Sequence, residues 1–422
     1  MMNLTRLFNK NLIVNCCLVL FVATTVSAET WPQYRGIDGD GKSPETIGNS
    51  RWTSSAPKVL WKSPTPLGFS SFTIFDGRAF TVIAKDGREQ CLAMDAATGK
   101  EIWLAPLGSS EYKQGGGNAG AKDNKGGDGP RSTPTTDGKH VYVYDSYMKL
   151  TCLDAKTGQQ VWQRDIEAEH SGRNIKWLNA TSPVIDGDAL YLAGGGAGES
   201  FLAINKNSGD VIWKSGDETM THATPTLATI DGQKQLIYFM QSGLVSIDPA
   251  NGKQLWKAVF KFSVSTAASP VVEGNLVYCS AGYGVGAAVF RVNGSSEPDE
   301  VWFKPNELMN HWSTPVVHDG HLYGLFEFKK YGTAPLQCVE LATGEIKWSQ
   351  RGFGPGNCIK VGDKLVVLSD AGDVVLADAK PDGYNETGRI KAISGKCWST
   401  PAYSDGRIFV RSTQEAACLD VR

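Results

Sequence analysis

Beyond its first 28 residues, the sequence has no long hydrophobic run, no excess of positive charge and no adjacent cysteines. Lysine and arginine number 42 against 44 acidic residues, and no basic stretch carries interleaved aromatics, which argues against a nucleic-acid partner. The seven cysteines beyond residue 28 form no C-x-x-C motif, and no cysteine or histidine pair has zinc-ligand spacing in a suitable context. Neither a disulfide framework nor a zinc site is therefore expected.

The first 28 residues have a different character from the rest of the chain. Two basic residues precede the apolar run LIVNCCLVLFVATTV, and the small residues of VSA precede Glu29. This order is typical of a secretory signal peptide, and we expect cleavage after Ala28. A lipid anchor at Cys16 or Cys17 is not favoured, because Asn15 precedes them and much of the apolar run follows. We expect a periplasmic or secreted protein with no transmembrane segment after cleavage.

Two phrases recur through the remainder of the chain. A glycine-containing turn leads into a strand that ends at tryptophan, as in DAATGKEIW, DAKTGQQVW, NKNSGDVIW, DPANGKQLW and ELATGEIKW. A small-small-Pro phrase recurs at Pro134, Pro183, Pro225, Pro270, Pro315 and Pro401. Successive prolines are 49, 42, 45, 45 and 86 residues apart, so the last interval holds two units of 43. A period of roughly 40–50 residues predicts a propeller or a solenoid.

Each unit contains four short strands separated by turn residues, as in STPT, HVYVY, LTCLD and QQVW of the second unit. In the strand HVYVY, Val141 and Val143 point to one face and Tyr142 and Tyr144 to the other, so both faces are apolar. Strands with two apolar faces are expected where each sheet is covered on both sides. This pattern favours a β-propeller, in which every blade lies between two others.

The units predict the number of blades and how the ring closes. Eight units begin near Ser70, Ser132, Thr181, Ala223, Ala268, Ser313, Gly356 and Ser399. The last has room for only three strands, and KVLWKS at 58–63 resembles the missing outer strand, with Trp61 in the terminal position. We predict an all-β, eight-bladed propeller of four-stranded antiparallel blades over 58–422, closed by this N-terminal strand. Residues 1–28 would be the signal peptide and 29–57 an N-terminal segment leading into the ring.

Seven tryptophans occupy the terminal position: Trp61, Trp103, Trp162, Trp213, Trp256, Trp302 and Trp348. We expect them to pack as wedges between neighbouring blades. The seventh unit has no such tryptophan, and Ile390 is expected to take its place. Cys91, Cys152, Cys338 and Cys418 are expected to share one third-strand position as small buried apolar residues.

The residues just before each small-small-Pro are predicted to surround one mouth of the central channel. They include the candidate ligand-binding residues Arg131, Asn179, His222, His311, Trp312, Asn357, Lys396 and Trp398. Aromatic, guanidinium and amide groups together suit a sugar, a carboxylated polymer or a peptide segment. The alternative is that these polar groups bond only to each other or to water.

The glycine turn, the terminal tryptophan and the small-small-Pro phrase together resemble the PQQ-like propeller repeat over residues 58–422. That family includes quinoprotein dehydrogenases and the BamB-type scaffolds of outer-membrane protein assembly. For a dehydrogenase, the resemblance implies a disulfide of adjacent cysteines and a tryptophan around the quinone, with Glu, Asn and Asp holding Ca²⁺. Here the only adjacent cysteines, Cys16 and Cys17, lie in the predicted signal peptide, and no matching ligand set can be placed on the loops.

We therefore expect a monomeric, non-enzymatic scaffold or recognition module for a protein or a polysaccharide ligand of the cell envelope, with no cofactor and no metal site. The alternative is a PQQ-dependent oxidoreductase with a diverged site, which would use PQQ and calcium. A third hypothesis is a polysaccharide-acting enzyme with His222, His311 and Glu307 as acid–base groups.

Overall fold

A computed structural model describes residues 30–112, 129–264, 266–294, 296–327 and 334–422. The predicted signal peptide and the glycine-rich residues 113–128 lie outside these ranges. The strands form eight separate sheets, accompanied by one short helix, α1 (Ile166–Glu169). Each sheet contains four antiparallel strands, and one sheet gains a fifth, parallel strand at its edge, which confirms the predicted eight-bladed propeller of four-stranded blades.

Two strands precede the first blade: β1 (Lys42–Ser43) and β2 (Lys58–Pro64). Blade 1 contains β3 (Thr73–Phe75), β4 (Arg78–Lys85), β5 (Arg88–Asp95) and β6 (Glu101–Ser109). Blade 2 contains β7 (Thr135–Thr136), β8 (His140–Tyr144), β9 (Lys149–Asp154) and β10 (Gln160–Asp165). Blade 3 contains β11 (Val184–Asp186), β12 (Ala189–Ala193), β13 (Phe201–Asn205) and β14 (Val211–Ser215). Blade 4 contains β15 (Thr226–Ile230), β16 (Gln233–Met240), β17 (Gly243–Ile247) and β18 (Gln254–Val259).

The second half of the ring repeats this order. Blade 5 contains β19 (Val271–Glu273), β20 (Leu276–Ala281), β21 (Gly286–Arg291) and β22 (Asp299–Pro305). Blade 6 contains β23 (Val316–His318), β24 (His321–Leu325), β25 (Leu336–Glu340) and β26 (Ile346–Gln350). Blade 7 contains β27 (Asn357–Val361), β28 (Lys364–Leu368), β29 (Asp373–Asp378) and β30 (Glu386–Lys391). Blade 8 contains β31 (Ala402–Ser404), β32 (Arg407–Arg411) and β33 (Glu415–Asp420).

The N-terminal strand β2 closes the ring, as the sequence predicts. It pairs antiparallel with β33 as the outer strand of blade 8, and Trp61 stands opposite Cys418. A second N-terminal strand was not expected: β1 pairs in parallel with β27 at the inner edge of blade 7, with Lys42 opposite Lys360. The two-residue β1 carries no periodic pattern from which it could be predicted.

The two apolar faces of each blade are buried against different neighbours. In β8, Val141 and Val143 pack against blade 1, while Tyr142 and Tyr144 pack against blade 3. All five residues of this strand are buried. This burial on both sides explains the lack of polar alternation in the sequence.

Five of the seven terminal tryptophans dock onto the glycine turn of the next blade. The indole Nε1 of Trp61 donates a 3.0 Å hydrogen bond to the carbonyl of Ala96, and its ring lies against Gly99. Gly99 has a φ of 68°, and a Cβ there would lie 2.5 Å from the indole. The same arrangement joins Trp103 to Gly158, Trp162 to Gly209, Trp213 to Gly252 and Trp302 to Gly344. Glycine is therefore needed in this turn for its backbone conformation and for the space it leaves.

The wedge of blade 7 differs from the prediction. In β30, Gly388 follows the bulge and pairs with Leu376, which places it, rather than Ile390, at the register position of the terminal tryptophans. The indole of Trp52 fills the space, since a Cβ on Gly388 would lie 2.4 Å from its side chain. Trp52 is buried and its backbone N–H donates to Thr387. The prediction for Ile390 is wrong because the eighth wedge comes from the N-terminal segment.

The seven cysteines of the described chain are buried and free of disulfides. Cys152, Cys338 and Cys418 stand opposite the terminal tryptophans of their blades, at one shared position. Cys91 does not share this position, because Ala93 stands opposite Trp103 and Cys91 lies two residues earlier.

Candidate functional site

A cavity of about 550 Å³ opens at the mouth of the channel where the chain enters the inner strands. We call it the cup. Its lining comprises Tyr34, Phe69, Ser71, Arg131, Thr133, Trp177, Ala180, Ser182, His222, Thr224, Ser263, Val264, Ala267, Tyr283, His311, Trp312, Trp398 and Thr400. Five of the eight residues predicted from the sequence are in this lining: Arg131, His222, His311, Trp312 and Trp398. The other three, Asn179, Asn357 and Lys396, lie behind it and hold its walls.

One wall of the cup is a stack of aromatic rings. Trp398 lies between Phe69 and Trp312, with centroid distances of 4.9 and 4.1 Å and interplanar angles of 23° and 29°. His311 meets Trp312 edge-on at 5.3 Å, and Tyr283 meets His311 at 4.8 Å. Phe69, Trp312 with His311, and Trp398 come from the loops that lead into blades 1, 6 and 8, and Tyr283 from the turn between β20 and β21 of blade 5. The ring closure thus brings together residues more than 300 positions apart. The result is a broad apolar wall.

Residues outside the lining fix the position of Trp398. Its Nε1 donates a 2.8 Å hydrogen bond to Oδ1 of Asp370, and Nζ of Lys396 lies 3.2 Å from Oδ2 of the same carboxylate. The Lys396 ammonium also lies 5.3 Å from the Trp398 ring centroid. Asn357 donates through Nδ2 to the Trp398 carbonyl at 2.7 Å. Lys396 and Asn357, predicted as rim residues, are therefore supports of the aromatic wall.

The opposite wall carries a guanidinium and a further indole. Nη1 of Arg131 donates to the carbonyl of Trp177 at 2.8 Å. The loop holding Trp177 is anchored by Asn179, whose Nδ2 donates to the carbonyls of Tyr144 and Asp145 at 3.1 Å. Asn179 is fully buried. Its role in this structure is to hold Trp177 and Arg131 at the cup from blade 2.

The two histidines of the cup are uncharged at neutral pH. Burial, followed by the nearby Arg131 charge, lowers the pKa of His222 to about 3, and burial lowers that of His311 to about 4. Nε2 of His222 lies 2.7 Å from the Leu178 carbonyl and must carry the hydrogen, because a carbonyl only accepts. Glu307, the third residue of the enzyme hypothesis, is exposed and absent from the lining.

The small-small-Pro phrases form a chain of hydrogen bonds around the floor of the cup. In each bond the backbone N–H of the middle residue donates to the middle hydroxyl of the next blade. The bonds run from Thr400 to Ser71, Ser71 to Thr133, Thr133 to Ser182 and Ser182 to Thr224, at 2.9–3.0 Å. The phrase therefore requires a hydroxyl at its middle position to join successive blades.

An N-terminal segment crosses the ring below this floor. Residues 31–43, which we call the plug, cross the ring from blade 1, where Trp31 bridges to Ile74, to blade 7. Near its centre, the buried Arg35 donates to the Thr314 and Pro315 carbonyls of blade 6 at 2.7 and 2.9 Å. Tyr34 reaches the cup from the plug.

Several residues of the site could not be identified from the rim pattern. The floor hydroxyls of Ser71, Thr133, Ser182, Thr224 and Thr400 belong to the repeat phrase itself and not to the residues before it. Trp177 lies in the long loop 163–180 and Tyr34 in the plug, and neither precedes a small-small-Pro phrase. A tryptophan outside the wedge register was the signal that could have identified Trp177.

Two buried carboxyls lie between blades 1 and 2, behind Arg131. Glu89 accepts hydrogen bonds from the hydroxyls of Tyr112 and Ser146, each at 2.5 Å. Asp145 accepts through Oδ1 from the N–H groups of Tyr147 and Lys149, each at 2.9 Å. Burial, and then the charge of Glu89, raise the pKa of Asp145 to about 7.

The fold and the cup define a PQQ-like propeller whose channel ends in an aromatic cup. Residues 87–350 match the family model described as outer membrane protein assembly factor BamB, and the chain belongs to that family. It is 26% identical over 331 residues to the outer membrane protein assembly factor BamB of Yersinia pestis, covering 78% of this chain and 69% of that protein. It is also 32% identical over 136 residues to a quinoprotein ethanol dehydrogenase of Pseudomonas aeruginosa, but this spans only 21% of that enzyme.

Solved structures share the fold. BamB of Moraxella catarrhalis superposes with a TM-score of 0.60 at 15% identity, covering 86% of this chain and 97% of that one. The quinohemoprotein alcohol dehydrogenase of Comamonas testosteroni gives a TM-score of 0.65 at 13% identity, covering 93% and 80%. Within the described ranges, no helix is long and apolar enough to cross a membrane.

The residues at the cup do not fit the quinone site that the dehydrogenase relatives imply. Calcium in such a site requires carboxylate oxygens, and the lining of the cup among the described residues contains no aspartate or glutamate. No two cysteines of the described chain are adjacent in sequence. Of the features expected around a quinone, the described lining of the cup has the tryptophan wall.

Proposed function

We propose that this protein is a non-enzymatic recognition scaffold of the cell envelope, which holds a polypeptide segment in the cup. The single observation that carries this proposal is the chemistry of the cup: an aromatic wall, a hydroxyl floor and one guanidinium in a cavity of about 550 Å³. An apolar pocket with a few convergent polar groups is typical of a binding site. Membership of the family described as outer membrane protein assembly factor BamB supports a role in protein assembly at the envelope.

The same lining argues against acid–base catalysis. A general acid or base must exchange protons near the working pH. Both histidines have pKa values of about 4 or below, and the hydrogen on Nε2 of His222 is committed to the Leu178 carbonyl. With no carboxylate in the described lining, nothing there supplies a partner for them.

Site-specific photo-crosslinking in living cells tests the proposal. A benzoylphenylalanine at Trp312, on the wall, is expected to cross-link to polypeptides of the envelope. The matched control places the same group at Val259, which is 53% exposed on the outer strand of blade 4. Equal yields at the two positions, or no polypeptide product at position 312, would contradict the proposal.

A second experiment addresses the oxidoreductase alternative. The purified protein is incubated with PQQ and Ca²⁺, and the reduction of an electron-accepting dye by an added alcohol is followed. We expect no calcium-dependent dye reduction above that of PQQ alone. Calcium-dependent turnover that is lost on changing Trp398 to alanine would overturn the non-enzymatic assignment.

A further inference from the structure

The cup is suited to the end of a chain, because the plug crosses the ring below it. The backbone of the plug contacts successive inner strands below the cup: the Pro32 carbonyl accepts from Thr136 N at 2.8 Å, and the Gly41 carbonyl accepts from Lys360 N at 2.9 Å. Arg35 fixes the centre of the segment through its bonds to blade 6. The plug therefore stands in the way of a polymer that enters the mouth.

The floor of the cup favours an acceptor group in the ligand. Four hydroxyls, those of Ser71, Thr133, Ser182 and Thr224, each accept a backbone N–H in the chain of bonds between blades. A hydroxyl has one hydrogen to donate in addition to its acceptor pairs. Since these oxygens already serve as acceptors, their hydrogens are the groups they can offer to a ligand oxygen.

The charge of the lining selects an anion. Arg131 is the one charged side chain in the described lining, since both histidines are neutral. A guanidinium matches the two oxygens of a carboxylate, and such charge-assisted bonds are stronger than neutral ones. The lining contains no acidic residue, among those the structure describes, that would repel an anion.

The aromatic wall and the size of the cup specify what accompanies the anion. Trp312, Trp398 and Phe69 present an apolar surface to the same cavity of about 550 Å³ that Arg131 lines. This space suits one or two residues and is too short for a long acyl chain. The floor hydroxyls would also find no acceptor in an acyl chain, whereas a peptide supplies carbonyl and carboxylate oxygens for them.

We propose that the cup binds the carboxy-terminal end of a polypeptide whose last side chains are apolar. The terminal carboxylate pairs with Arg131 and the floor hydroxyls, and the apolar side chains pack on the tryptophan wall. This inference rests on the proposed function and names the ligand of the same site.

Calorimetric titration of the full chain with three synthetic peptides tests the inference. The first, acetyl-GSGSVL, carries a free carboxylate; the second is its C-terminal amide; the third, acetyl-GSGSVLGSGS amide, places the same residues internally. We expect the acid to bind about tenfold or more tightly than either of the others, the usual loss for a charge-assisted bond. Equal binding of acid and amide would overturn the inference, and so would tighter binding of decanoate than of the acid.

A second test repeats these titrations with the variant Arg131→Gln. The matched control for the lost charge is Arg291→Gln, at an exposed position on blade 5. We expect the first change to remove the preference for acid over amide and the second to leave it intact. The same preference in both variants would contradict the role of Arg131. If the internal peptide binds as well as the acid while cross-linking at position 312 persists, the chain-end inference fails but the proposed function stands.

Discussion

The Nε1 of Trp398 donates a 2.8 Å hydrogen bond to Oδ1 of Asp370, and this bond fixes the central ring of the aromatic wall. Asp370 lies in the loop between β28 and β29 of blade 7, whereas Trp398 precedes blade 8. The bond therefore joins two blades at the mouth of the cup. Trp398 contacts both Phe69 and Trp312, so its displacement would remove one packing contact from each of them.

Changing Asp370 to alanine should weaken the binding of the acid peptide by about tenfold, since a net hydrogen bond to a charged group contributes roughly 1.5–3 kcal/mol. The indole would lose its acceptor and Lys396 its partner, while the backbone bonds of residue 370 would remain. Asp363→Ala, at an exposed turn of the same blade, is the control. Calorimetry with acetyl-GSGSVL measures the effect, and equal affinities for the two variants would contradict this role.

The wedge supplied by the N-terminal segment should contribute strongly to stability. Trp52→Ala is expected to lower the free energy of unfolding by about 3–5 kcal/mol, the usual cost of truncating a buried tryptophan. Ile390→Ala, a half-buried position on the same strand as Gly388, should cost less than about 2 kcal/mol. Urea denaturation compares the two, and a larger loss for Ile390 would show that Trp52 is not the wedge.

Substitution of the glycine in the repeat turn should lower the free energy of unfolding for two reasons, its positive φ and its contact with the neighbouring indole. Gly77→Ala, at a φ of 71° with no atom near its missing Cβ, should cost only the backbone penalty of about 1–2 kcal/mol. Gly99→Ala adds contact with the indole of Trp61 at 2.5 Å, which should add about 1–3 kcal/mol. Denaturation curves for both variants give the difference in their free energies of unfolding. Identical losses would mean that the Trp61 indole moves away from residue 99 without cost.

Asp145 should make the stability of the protein depend on pH. Its pKa is about 7 in the folded chain and roughly 3.9 when unfolded. Between these values the folded state binds the extra proton, so the free energy of unfolding falls as the pH rises from about 4 to 7. Asp145→Asn should flatten this fall because asparagine does not titrate. Asparagine also keeps an oxygen acceptor for the N–H groups of Tyr147 and Lys149.

Urea denaturation at pH 5 and pH 8 measures this change in slope. The groups that act on Asp145 are Glu89, which raises its pKa, and Lys149, which lowers it. Asp363→Asn, at an exposed turn, serves as the control and should keep the slope of the unmodified protein. A slope in Asp145→Asn equal to that of the control would show that Asp145 is already ionised at pH 5.

The sequence was sufficient to predict the architecture because most blades repeat the same contacts with their neighbours. The glycine turn, the wedge tryptophan and the small-small-Pro phrase each make a contact with the next blade, so their period gave both the fold and the closure at Trp61. The wedge of blade 7 could not be predicted in the same way. Trp52 lies far from Gly388 in sequence, and no repeat connects the two.

The residues that precede each small-small-Pro phrase predicted where the mouth of the cup lies, but not the orientation of each side chain. Arg131 and Trp398 face the cavity, whereas Lys396 and Asn357 turn away to bond with Asp370 and the Trp398 carbonyl. Orientation depends on partners contributed by other blades, which a local pattern does not record. The plug was unpredictable for the same reason, since Arg35 is satisfied by carbonyls of Thr314 and Pro315 almost 280 residues away.

The most direct measurement of the central claim is a crystal structure of the full chain bound to acetyl-GSGSVL. We expect the terminal carboxylate within hydrogen-bond distance of Arg131 and the leucine side chain against Trp312 and Trp398. A peptide bound on the outer edges of the blades, or one lying in the cup with its carboxylate pointing out to solvent, would contradict the account.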